Sequence, residues 1–203
     1  MHFRTVCTIP VYSRSLHPFD WHSVSIPPLP EWFGLARVEV PGDPLAYHAA
    51  LVLMFDISLS EPLTSAELLP KRAVDEGSPA HAIIYMPHGT PAAVVTEHLA
   101  SASPCLKPLA LLHGLHEICA RGQVLQLGGL NAKEIQERLR ADYWIATHDE
   151  VKTGVGAVMS RFSTRRKAWT LEQLLERDGR GNNDERKKLN FTELANGQSI
   201  ILA

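Results

Sequence analysis

The placement of proline limits the fold of this chain more than any other feature of the sequence. Most of its 14 prolines lie in the first hundred residues, and the stretch IPPLPEWFG at 26–34 contains three of them. A proline has no backbone N–H to donate, and it biases the preceding residue toward extended geometry. We therefore predict that the first half of the chain forms short strands separated by turns rather than long helices.

Three segments of this first half have the composition and length of strands. Each is rich in apolar or β-branched residues, and two of them end in a turn that contains proline and glycine. They are LARVEVPG at 35–42, YHAALVLMFDISLS at 47–60 and HAIIYMPHG at 81–89.

Beyond Ser101 the signals are typical of helices. The segment 103–122 is predicted to be a helix that ends at Gly122, and further helices are predicted at roughly 132–143, at 148–162 and after Thr170. The predicted fold class is α+β, with a β-rich N-terminal half (1–100) and a helical C-terminal half (101–203). The two halves form either separate domains or one continuous domain. Three pairs have the spacing of a capping box: Asn131 with Glu134, Thr147 with Glu150, and Thr170 with Gln173.

The two helices at 132–143 and 148–162 have the order of a helix-turn-helix unit, in which the second helix enters the major groove. Apolar residues recur along 148–162 at helical spacing, so this face is predicted to point inward. Gly154 and Gly156 leave open an alternative, in which 152–158 is a loop whose backbone amides cradle a phosphate.

Charge is divided unevenly along the chain. Residues 1–100 contain 5 Lys/Arg against 10 Asp/Glu, whereas 101–203 contain 15 against 12, and no acid lies between Val151 and Leu171. We predict that the basic half contacts DNA or RNA by displacing counterions, and that the acidic half binds protein partners within a nucleoprotein complex. The predicted contact residues are Lys152, Ser160, Arg161, Arg165, Arg166, Lys167 and Trp169.

Recognition of single-stranded RNA is a second mode of the same function. In that mode Trp169, Phe162 or Trp144 would offer faces on which bases stack.

Two other classes of function remain open. One is an interaction protein, such as an inhibitor encoded by a mobile element. The other is a metal-dependent hydrolase, although the order H-x-x-H-E matches no established zinc motif. We expect a protein that is not an enzyme and that needs no cofactor or metal. The candidate ligands for the metal alternative are His17, Asp20 and His22 in one group, and His113, His116 and Glu117 in the other.

The cysteines and the apolar runs bear on location. Cys7, Cys105 and Cys119 are odd in number and contain no C-x-x-C pair, which argues against a disulfide framework and favours a reducing compartment. The N-terminus lacks the apolar core of a signal peptide, and no apolar run approaches 18 residues. We therefore expect a cytoplasmic protein that does not enter a membrane.

Overall fold

The computed structural model describes residues 33–43, 48–55, 80–102, 105–147, 149, 164–177, 189–195 and 197–202. These residues form two sheets and three helices. The strands are β1 (Phe33–Glu39), β2 (Ala49–Phe55), β3 (Ala80–Met86), β4 (Leu106–His113), β5 (Glu117–Ala120), β6 (Gln123–Gln126), β7 (Tyr143–Ala146), β8 (Thr164–Lys167) and β9 (Phe191–Glu193). The helices are α1 (Ala92–Ala100), α2 (Gly129–Leu139) and α3 (Leu171–Arg177).

The larger sheet has six strands in the order β1-β2-β3-β4-β7-β9. Its first three strands pair antiparallel, whereas β3, β4, β7 and β9 run parallel to one another. One register row crosses all four parallel strands, through Ile84, Leu111, Trp144 and Phe191. The strands predicted near 35–42, 47–60 and 81–89 are confirmed as β1, β2 and β3, and they share this sheet with strands from beyond Ser101.

The core lies between this sheet and the helices. Every second side chain of β2 and β3 is buried, as the period of a strand requires. The buried row includes Val52 and Ile84, which join Val95 of α1, Ile135 of α2 and Leu174 of α3 in one apolar cluster. Contacts of α2 with both α1 and α3 place the three helices side by side.

The prediction of a helical C-terminal half is wrong. Segment 103–122 contains β4 and β5, and strands outnumber helices in the described part of the chain beyond Ser101. β4 has apolar residues in both registers, with Ala110 and Leu111 buried and Leu109 and Leu112 half-buried, so it lacks the alternation that would have marked it as a strand. Gly122 does not end a helix. With Arg121 it forms the two-residue turn between β5 and β6, at φ values of 81° and 50°.

The joint of the predicted helix-turn-helix unit is not a turn. The first helix exists as α2, but the residues expected to form the joint contain β7, which lies inside the sheet between β4 and β9. Trp144 of β7 is completely buried. The expected second helix, 148–162, lies outside the described residues except for Asp149. No helix among the described residues is long and apolar enough to cross a membrane.

The smaller sheet contains the basic segment. Its order is β6-β5-β8, and all its pairs are antiparallel. Arg166 of β8 pairs in register with Ile118, and Lys167 pairs with Glu117. The cations expected after a helix therefore lie on an edge strand, because hydrogen bonding to β5 sets the local backbone.

Of the three capping predictions, one is confirmed, one is wrong and one falls partly outside the described residues. Thr170 and Gln173 form the expected capping box at the start of α3, with N–H···O distances of 3.1 and 3.3 Å. Asn131 does not cap α2, which begins after Gly128 without a side-chain cap. Thr147 and Glu150 cannot be compared, since Glu150 lies outside the described residues.

Candidate functional site

The carboxyl ends of the parallel strands lie at one edge of the larger sheet. Open sheets of this kind bind ligands in the crevice beyond those ends. A cleft of about 960 Å³ lies there, at the ends of β4, β7 and β9 and beside α3. Its apolar lining includes Leu115, Ile145, Trp169, Phe191 and Leu194, and its polar lining includes His116, Thr147, Asp149, Thr170, Glu172 and Glu193.

Asp149 ties two of these strand ends together. Its carboxylate accepts the backbone N–H groups of Leu115 at 2.6 Å and of His116 at 2.8 Å. The loop after β4 is thereby held against the segment after β7. Gly114 permits this close approach, because a Cβ atom there would lie 2.6 Å from the carbonyl oxygen of Thr147 and 2.8 Å from Asp149 Oδ1.

Arg166 brings positive charge to the same corner. Its Nη2 contacts His116 Nδ1 and donates to the backbone oxygen of Asp149 at 3.1 Å. A guanidinium group can only donate, so Nδ1 is the acceptor in this contact. His116 Nδ1 also lies 3.5 Å from Asp149 Oδ1. The arrangement fixes a cationic side chain of β8 against one wall of the cleft.

Lys167 and Trp169 form the next part of this wall. The ammonium of Lys167 lies 3.5 Å from the centroid of the Trp169 ring, and the guanidinium of Arg177 lies 5.8 Å from it. Trp169 is only 9% exposed, whereas Lys167 and Arg177 are exposed. At this position the surface therefore presents the cations, and the indole ring supports them from below.

A buried network stands behind the cleft at the end of β4. His113 is fully buried, and its Nδ1 donates to the carbonyl of Gly114 at 2.8 Å. Its Nε2 therefore accepts from the amide of Asn131 at 3.2 Å. Asn131 also donates to the carbonyl of Thr90 at 2.9 Å and accepts the N–H of Ala92 at 3.1 Å. One amide thus connects the start of α1 with β4 and α2.

Burial lowers the pKa of His113 from 6.5 to about 4, because the uncharged environment penalises the imidazolium form. The hydrogen bond to Gly114 and the charge of Asp149 oppose this effect but do not overcome it. His113 is therefore neutral near pH 7. Since both ring nitrogens are engaged within the protein, its role is to hold the strand ends in place.

The structure brings together only part of the predicted contact set. Arg166, Lys167 and Trp169 lie beside the cleft, and Arg165 lies on β8 opposite Cys119. The other three predicted contacts lie outside the described residues: Lys152, Ser160 and Arg161.

Of the aromatic residues considered for base stacking, Phe162 lies outside the described residues and Trp144 is buried. The ring of Trp144 packs against Phe191 at 4.9 Å, with an interplanar angle of 76°. Phe191 is the half-buried member of this pair, and it lines the cleft.

The metal-ligand groups considered from the sequence do not assemble in the described part of the chain. His113 faces Asn131 inside the core, while His116 faces Arg166, and Glu117 begins β5. Among the described residues, no three His, Cys, Asp or Glu side chains are placed to hold a metal ion. The other group lies outside those residues: His17, Asp20 and His22.

Sequence reasoning missed Asp149, Glu193 and Phe191 as parts of the cleft. Asp149 follows a histidine in a polar stretch and carries no local signal, since its partners lie 33 and 34 positions away. Glu193 and Phe191 belong to β9, whose position beside β7 follows only from the sheet order. Comparison of the chain with family models, with curated proteins and with solved structures gave no match.

Proposed function

We propose that this protein binds nucleic acid, and that the cations of β8 beside the cleft contact its phosphates. The observation that carries the proposal is the position of Arg166 and Lys167. Both are exposed on an edge strand, and neither forms an ion pair with a carboxylate of any described residue. Carboxylate pairing within the chain would have neutralised these charges, and its absence in the described part leaves them to attract a polyanion.

Arg166 is oriented before a ligand arrives. Both N–H groups of Nη2 are directed at the chain itself, toward His116 and toward the backbone of Asp149. The remaining three N–H donors, on Nη1 and Nε, have no acceptor among the described residues. A guanidinium held in this way loses little side-chain entropy on binding, and its planar donor pattern suits a phosphate.

The basic surface extends beyond these two residues. Arg177 approaches the same tryptophan ring as Lys167 and is exposed. Neutralised phosphates release counterions, so several such contacts produce affinity that falls steeply with salt. The carboxylates of Glu172 and Glu193 line the cleft. A phosphate backbone would therefore follow β8 rather than cross the cleft.

The test is fluorescence anisotropy with labelled single-stranded RNA, single-stranded DNA and duplex DNA at a series of salt concentrations. We expect the double variant Arg166→Ala/Lys167→Ala to weaken binding roughly tenfold. We also expect the salt slope to fall by about 1.4 for a single strand, at roughly 0.7 per phosphate contact. The panel also decides between the three kinds of nucleic acid.

Lys107→Ala is the matched control. Lys107 is an exposed cation at the start of β4, the end of that strand away from the cleft, and it pairs with Asp142 at 3.3 Å. This variant should bind as the wild type does. The proposal fails if the wild type binds no member of the panel at low salt, or if the double variant keeps wild-type affinity and salt dependence.

A further inference from the structure

We infer that the cleft receives one nucleotide of a bound single strand, with its phosphate at β8 and a guanine base directed toward β9. This inference rests on the proposed function and adds the position and the identity of the nucleotide. It follows from the size of the cleft, from the cations next to it, from the carboxylate of Glu193 in its lining and from an unsatisfied donor among its lining residues.

The size and the floor of the cleft fit a flat heteroaromatic group. Small-molecule sites usually enclose roughly 300–1,000 Å³ and are mainly apolar with a few polar groups. This cleft has about 960 Å³ and is floored by side chains such as Leu115 and Ile145. Phe191 is held edge-to-face against Trp144, so its orientation is set before a base stacks on it.

The cleft is lined by the carboxylates of Asp149, Glu172 and Glu193, and the cations of β8 lie next to this lining rather than in it. Arg166 contacts His116, which follows β4, and the backbone of Asp149, which follows β7. Glu193 is the last residue of β9 and pairs in register with Ala146 of β7. From β4 to β9 is two strand spacings, about 10 Å. A nucleotide can span that distance from its phosphate to the far edge of its base. The cations of β8 next to the cleft suit the phosphate, and the carboxylate of Glu193 in its lining suits N–H donors.

The carboxylate selects among the bases. Asp and Glu side chains recognise bases by accepting N–H groups from their edges. Guanine presents its N1–H and its N2 amino group side by side, which matches the two oxygens of one carboxylate. Uracil presents one N–H between two carbonyl oxygens, and those oxygens would face the negative charge of Glu193 unfavourably. The chemistry of the cleft therefore favours guanine.

Trp169 supplies an observation independent of these charges. Trp169 lines the cleft and is nine-tenths buried, yet its indole N–H has no hydrogen-bond acceptor among the described residues. Buried donors are seldom left without a partner, because desolvation then goes uncompensated. An oxygen atom of a ligand in the cleft is an acceptor of the required kind.

The test is isothermal titration of the full chain with 5′-GMP, 5′-UMP and guanosine, alongside oligonucleotide anisotropy. We expect the wild type to bind 5′-GMP more tightly than either of the other two. Glu193→Gln should weaken 5′-GMP about tenfold and leave 5′-UMP unchanged, because an amide offers one acceptor oxygen in place of two. Glu176→Gln is the matched control, since Glu176 is exposed on α3 and does not line the cleft.

Variants of β8 test the phosphate end. Lys167→Gln and Arg166→Gln should each weaken both monophosphates and leave guanosine unaffected. Of the two, only Arg166 contacts His116, so a displaced His116 could explain weaker binding in Arg166→Gln but not in Lys167→Gln. The same loss in both variants therefore indicates a direct contact with the phosphate.

The outcomes separate the two proposals. Equal affinity for 5′-GMP and 5′-UMP, or an unchanged Glu193→Gln variant, would overturn the cleft assignment even if oligonucleotides bind through β8. Selective binding of 5′-GMP, weakened in these variants, without binding of any oligonucleotide would support the cleft assignment and refute the proposed function.

Discussion

Replacement of His113 by glutamine should remove a large part of the acid sensitivity of this fold. Burial keeps the folded-state pKa of His113 at about 4, whereas the unfolded chain takes up the proton near 6.5. At roughly 1.4 kcal/mol per pKa unit, this difference corresponds to about 3 kcal/mol. The pKa is depressed in the folded state, so the stability is present above pH 6.5 and is lost as the pH falls toward 4. About 2 kcal/mol of it should be lost between about pH 7.5 and about pH 5.

The assay is urea denaturation followed by circular dichroism at several pH values in that range. His113→Gln retains an acceptor for the amide of Asn131 but loses the donor to Gly114, so at neutral pH it should be less stable by about 1–3 kcal/mol. The difference between wild type and variant should then shrink by about 2 kcal/mol at about pH 5. A difference that stays constant with pH would refute the reasoning. So would an NMR titration in which the His113 ring takes up its proton near 6.5.

Two further substitutions test how the site is supported. Gly114→Ala would place a methyl group against the carbonyl of Thr147 and the carboxylate of Asp149, so we expect a loss of about 1–3 kcal/mol in the free energy of unfolding. Urea denaturation checks this, and wild-type stability would show that the two strand ends can separate without cost. Thr170→Ala removes the hydroxyl that accepts the N–H of Gln173, so it should cost about 1 kcal/mol. Thr170→Ser keeps that hydroxyl and is the control, and equal stability of the two variants would contradict a capping role.

Local patterns predicted several elements because their determinants are close together in the chain. The alternation around Val52 and Ile84 marks β2 and β3, where one sheet face packs on the helices. The spacing of Thr170 and Gln173 marks the start of α3, since a capping box needs only residues of the first turn.

Local patterns predicted a helix where the structure has β4. Leu109 and Leu112 stand three apart, as on a helix face, yet β4 lies inside the sheet between β3 and β7. A strand in that position has apolar residues in both registers, so its periodicity cannot distinguish it from a buried helix. The capping prediction for Asn131 was wrong for a related reason. Its side chain has the right chemistry for a cap, but its partners lie on α1 and β4.

By itself, the sequence determined the strands β1, β2 and β3, a helix that overlaps α2, the start of α3 and the position of the basic cluster along the chain. These depend on backbone preferences and on neighbours within a few residues. Only the tertiary structure decided that 164–167 is an edge strand and that Asp149 joins the ends of β4 and β7. It also decided that Glu193 of β9 lines the same cleft as Asp149. The reason is that sheet order and long-range hydrogen bonds depend on which strands pair, and side chains more than thirty positions apart leave no shared local pattern.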